Sequence, residues 1–98
     1  MNNTILLQFE KTMTNLAGNR IGNKVYKENV APKIDENSTN IVVFPDIIED
    51  IASSFIEGMY KELGEKYGKN TAKQIMILEA ENKETNENIK ESIDTFGV

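Results

Sequence analysis

Asn40-Ile41-Val42-Val43-Phe44, followed at once by Pro45-Asp46, is the stretch on which the fold turns. Its four consecutive apolar side chains, three of them β-branched, suit a central strand with both faces covered. Pro45 cannot donate to a ladder, so the strand stops there. Upstream, Thr4 to Phe9 (TILLQF) is another apolar run of strand length. Downstream, Ile75-Met76-Ile77-Leu78, within Lys73 to Ala80, is a third.

The intervening segments carry a helical period. Tyr26, Val30 and Ile34 fall four apart with Val25 beside them, so a helix is expected from Lys24, with Gly22-Asn23 as its start. Pro32 kinks or ends it near Ala31. Lys11 to Asn23 reads as a turn that holds a very short strand at Asn19-Arg20-Ile21. Phe55, Ile56, Met59, Tyr60, Leu63 and Tyr67 give the clearest helix, with Gly64 and Gly68 marking its end. Ile47, Ile48 and Ile51 add an apolar patch before it. Ile89, Ile93 and Phe96 form a last helix closed by Gly97.

Strand and helix therefore alternate, which implies parallel neighbours and right-handed crossovers. The expected fold is a single α/β domain over residues 1–98. It has a small sheet of three to four mostly parallel strands, covered by about three helices. Val42, Phe44, Phe55, Met59, Leu63, Ile75, Ile77, Ile89 and Ile93 are its expected core.

Composition removes several functions. The 98 residues include no Cys, His or Trp. A Cys or His zinc site, a disulfide, a thiol nucleophile and a Ser-His hydrolase are all excluded. Eleven basic and sixteen acidic side chains give a net charge of −5, which argues against a nucleic-acid binder. The charges are spread evenly, with no basic arm and no acidic tail. No stretch approaches the ~20 apolar residues of a membrane span, and no signal peptide is read at the N-terminus. The expectation is a soluble, cytoplasmic, acidic domain that needs no cofactor and contacts neither nucleic acid nor membrane.

Three local patterns could carry chemistry. Gly64 to Thr71 resembles a phosphate-binding loop only superficially, because three residues rather than four separate its glycines. It also leaves a helix instead of opening one, and so reads as a helix stop. Asp46, Glu49 and Asp50 stand near the end of the middle strand, where α/β sheets bind ligands. They could contact a divalent cation or simply form a solvated loop. Ser54 and Glu57 have the spacing of a capping box at the start of the 54–67 helix. Ser53 is the next best cap. A phosphate on a serine here would be favoured by the helix N-terminus, and would add about two negative charges beside Asp46, Glu49 and Asp50. Cap and phosphoswitch both fit the residues.

At this segment the chain resembles the STAS domain, shared by sulfate-transporter tails and anti-sigma-factor antagonists. It is most similar to the bacterial STAS-like domain of unknown function. The residues that carry the resemblance are Gly18-Asn19-Arg20, Gly22 with Tyr26 and Pro32-Lys33-Ile34, and the strand Ile41–Phe44. Ser53-Ser54-Phe55 with Glu57, the strand Ile75–Leu78 and the helix Ile89–Phe96 complete it, over roughly residues 4–97. Ser53 aligns with the antagonists' phosphoacceptor, but Ala52 stands in place of their Asp and Phe55 in place of their Gly. The resemblance implies a STAS-like fold and a binding surface.

The leading expectation is a non-enzymatic, intracellular protein-binding module. Its docking surface is the loop 45–54 with the exposed side of helix 54–67, and its site residues are Ser53, Ser54, Asp46, Glu49, Asp50 and Glu57. The partner implied is a regulator or an ATPase-type kinase, and a homodimer stays open. One alternative is an antagonist of a host system made by a phage or mobile element. Another is a small nucleotide- or metal-binding enzyme that uses the strand-end carboxylates.

Overall fold

The Thr39–Phe44 run is the middle strand of a parallel three-stranded sheet in a computed structural model that describes residues 2–96. Strand β1 is Asn2–Leu6 and β2 is Asn15–Leu16. Helix α1, Asn19–Val25, runs on into a π-helical turn, Tyr26–Val30, and a 3-10 turn, Ala31–Lys33. Then follow β3 (Thr39–Phe44), β4 (Asp50–Ile51), α2 (Ser53–Tyr67), α3 (Lys69–Ile75), β5 (Met76–Ala80) and α4 (Lys83–Phe96). The main sheet has the order β1-β3-β5, and β2 pairs with β4 in a separate two-stranded sheet. All three pairings are parallel.

This strand order has a physical consequence. The three strands follow one another without reversal, so right-handed crossovers place their helices on the same face. Burial follows suit. In β3, Asn40, Val42 and Phe44 are buried while Thr39, Ile41 and Val43 are only half-buried. On the same open face Leu6 is 63% and Ile77 39% exposed. The expectation that β3 is covered on both faces is therefore corrected, and so is the placement of Ile77 in the core. A run of apolar residues shows that a strand is apolar, not how many layers cover it.

The remaining expected core residues pack together. Phe44 and Phe55 meet edge to face with centroids 6.1 Å apart, and both are fully buried. Val42, Met59, Leu63, Ile75 and Ile89 join them, and Ile93 packs against their rim. Two buried polar residues hold the frame. Asn40 accepts from the Asp35 amide and the Asn3 side chain, and its own amide group lies within reach of the Asp35, Ser38 and Ile75 carbonyls. Thr85 does the same work at the other end of the sheet, as described below.

Other boundaries differ for tertiary reasons. Asn19–Ile21 is helix, not strand, and Gly22 lies inside α1 rather than at its start. Gly22 is there because α1 and α2 nearly touch: a Cβ on Gly22 would enter the Phe55 carbonyl, and one on Gly58 would enter the Asn19 carbonyl. Ala31–Lys33 ends the first helical segment, as Pro32 requires. Gly64 sits within α2, and the stop is Gly68 alone, at φ +89°. Lys69–Ile75 forms α3, a fourth α-helix, so β5 begins at Met76. Helix α4 starts at Lys83, where Asn82 Oδ1 accepts the amides of Glu84 and Thr85. The expected closure at Gly97 lies outside the described residues.

Candidate functional site

Loop 45–52 leaves the C-terminal end of β3 and is pinned on two sides. Thr14 O accepts the amides of Glu49 and Asp50, at 2.7 and 3.3 Å, and Leu16 O accepts that of Ala52 at 2.8 Å. The fully buried Thr85 of α4 directs its hydroxyl at the carbonyls of Ile48 and Glu49, 2.9 and 2.8 Å away. Ile48 and Ile51 anchor the loop in the core. Asp46, Glu49 and Asp50 are left exposed on a backbone that cannot swing freely. Their carboxylates are presented outward and do not converge. Among the described residues no group of three or more His, Cys, Asp or Glu side chains stands close enough to hold a metal ion.

Ser53 is the first residue of α2 and is half-buried. It lines a shallow cleft with Asp50 on one side and Asn88, Glu91 and Ser92 of α4 on the other. Asp50 and Glu91 thus line the same cleft as Ser53. The α4 wall was not anticipated from sequence. Its signal is the spacing of Asn88, Glu91 and Ser92, which share one helix face.

Ser54 and Glu57 are used differently from the expected capping box, which is corrected here. Helix α2 begins at Ser53, with Ala52 rather than Ser54 at the N-cap and no side-chain cap. The Ala52 carbonyl accepts the amides of Phe55 and Ile56 instead. Freed from that task, Ser54 Oγ accepts the Gly18 amide at 3.0 Å, at the start of α1. Exposed Glu57 lies 3.4 Å from the Asn19 side-chain nitrogen. Both side chains therefore tie α2 to α1, and only Ser53 faces the cleft with the acidic loop. Asp50 and Ser53 line that cleft together, Asp46 and Glu49 are exposed on the loop, and Ser54 and Glu57 face α1.

Compared with protein-family models, with curated proteins and with solved structures, the chain matches none of them. No helix among the described residues is long and apolar enough to cross a membrane.

Proposed function

We propose that this chain is a non-enzymatic, intracellular protein-binding module of regulatory, STAS-like type. It docks through the acidic loop 45–54 and the adjoining start of α2. The observation that carries the reading is the pinned loop. Backbone bonds to Thr14 and Leu16 and the buried Thr85 hydroxyl hold the loop that carries exposed Asp46, Glu49 and Asp50 and leads into Ser53. A surface ordered before contact loses less entropy on docking.

The sheet order supports a binding role over catalysis. Nucleotide sites in open α/β sheets form where the strand order reverses, and β1-β3-β5 has no reversal. The partner is a protein whose docking surface complements the carboxylates, and the STAS-like resemblance makes it a regulator or an ATPase-type kinase. Phosphorylation of Ser53 would place a third negative group in the cleft with Asp50 and Glu91 and release the partner.

Affinity capture from the source cells, with wild type and an Asp46→Lys/Glu49→Lys/Asp50→Lys variant side by side, tests the reading. The expected result is a stoichiometric partner held by wild type, lost from the variant and weakened by Ser53→Asp. Retention of the same partner by the triple variant would contradict it. So would tight ATP or GTP binding in calorimetry.

A further inference from the structure

A second surface, of opposite sign, lies on α1. Residues 19–33 carry Arg20, Lys24, Lys27 and Lys33 against the single carboxylate Glu28, in a chain whose net charge is −5. Arg20, Lys24 and Lys27 repeat at i, i+4 and i+7, and so share one face of α1 and the turn that continues it. All three are exposed, and among the described residues none of them forms an ion pair.

Beside this row runs an apolar groove. Its apolar lining is Phe9, Met13, Leu16, Ile21 and Val25, with Lys24 and Glu28 among the polar residues that complete it. Met13 is 41% and Ile21 45% exposed, although both are large and apolar. A second depression, on the Arg20 and Lys27 side, shares Ile21, Lys24 and Glu28 with it. The backbone is specialised here too: Tyr26–Val30 is a five-residue π-helix, a rare form found frequently at functional sites.

We infer that this groove docks an acidic amphipathic segment of a partner protein, whose apolar side chains fill the space between Met13 and Ile21 while its carboxylates meet Arg20, Lys24 and Lys27. The cations call for an anionic occupant, and the apolar lining calls for side chains between the charges. A nucleic-acid backbone has no apolar groups to offer that lining, and the acidic remainder of the chain repels a long polyanion. Arg20 to Lys27 spans about 10 Å of helix, the length of about two turns of a docked peptide. The groove shares no lining residue with the Ser53 cleft. The inference therefore stands apart from the acidic surface, and either could fail alone.

Fluorescence anisotropy with the full chain tests it. The probe is a labelled helical peptide with Leu on one face and Glu on its flanks. Its controls are a peptide of the same composition with the Leu residues scattered, and a DNA duplex of similar length. Saturable binding to the amphipathic peptide is expected. It should weaken about tenfold in Arg20→Glu/Lys24→Glu/Lys27→Glu, weaken in Ile21→Ser, and fall with added salt. Circular dichroism should show all variants folded, since the substituted side chains are exposed. Equal binding of the scattered peptide, preference for DNA, or no binding of the amphipathic peptide would each overturn the inference.

Discussion

The hydroxyl oxygen of Ser54 accepts the backbone N–H of Gly18, at 3.0 Å, across 36 positions of sequence. A residue with the spacing of a helix cap thus serves a neighbouring helix. Ser54→Ala should cost about 1 kcal/mol, whether the bond is local or long-range. Hydrogen exchange separates the two. Faster exchange at the Gly18 amide, with the first turn of α2 unchanged, is the expected result.

The crossing of α1 and α2 should make two glycines of one helix respond oppositely to the same substitution. Gly58→Ala drives a methyl into the Asn19 carbonyl, a backbone group with nowhere to go. A loss of roughly 1–3 kcal/mol is expected. Gly64 has open space around its Cβ position and lies inside α2. Gly64→Ala should therefore stabilise by about 0.5–1 kcal/mol. Melting temperatures of the two variants check the pair.

Asn40 is buried yet polar, and no isosteric apolar residue can replace its bonds. Asn40→Leu would leave the Asp35 amide without its acceptor and the Ile75 carbonyl without the Asn40 donor. Unsatisfied buried groups cost about 1–3 kcal/mol each, so denaturant unfolding should show a loss of about 2–6 kcal/mol. Asn40→Asp should also destabilise, because a carboxylate cannot donate to the carbonyls.

Acid should weaken the fold through the turn after α1. The Asn37 amide and then the Ser38 hydroxyl hold the Asp35 carboxyl below its ordinary pKa. The Tyr67 hydroxyl and then the Lys66 ammonium do the same for Glu36. A carboxyl with a lowered folded pKa contributes its full stability above the ordinary value, near ~4, and loses it as the pH falls through the folded value. Asp35→Asn/Glu36→Gln should therefore melt slightly lower than wild type at neutral pH, solvent screening keeping the gap small, and the gap should close as the pH falls below the ordinary carboxylate range. A gap that stays constant across that range would contradict the assignment.

Much of the architecture was legible because it depends on local periodicity. The Ile41–Phe44 run announced the middle strand, and the Phe55–Tyr67 stripe announced α2. What was not legible depends on contacts between distant segments. Gly22 signals a turn in isolation, and only Gly58 and the Phe55 carbonyl across from it explain a glycine inside a helix. Helix α3 buries only Ala72 and Ile75, too few to show a period, so its last residue was merged with the strand beyond. Of the expected site residues, Asp50 and Ser53 line one cleft, and Asp46 and Glu49 are exposed on the loop that leads to it. Ser54 and Glu57 face α1 instead, because the N-cap of α2 is Ala52, two residues earlier than the capping-box spacing suggests.

Where the partner touches the chain is the central claim, and site-specific photocross-linking measures it most directly. A photoreactive residue placed at Glu49, in the pinned acidic loop, should form a covalent adduct with the captured partner. The same residue placed at exposed Lys69, at the start of α3, should not. Adducts at 69 and none at 49 would contradict docking through the loop 45–54.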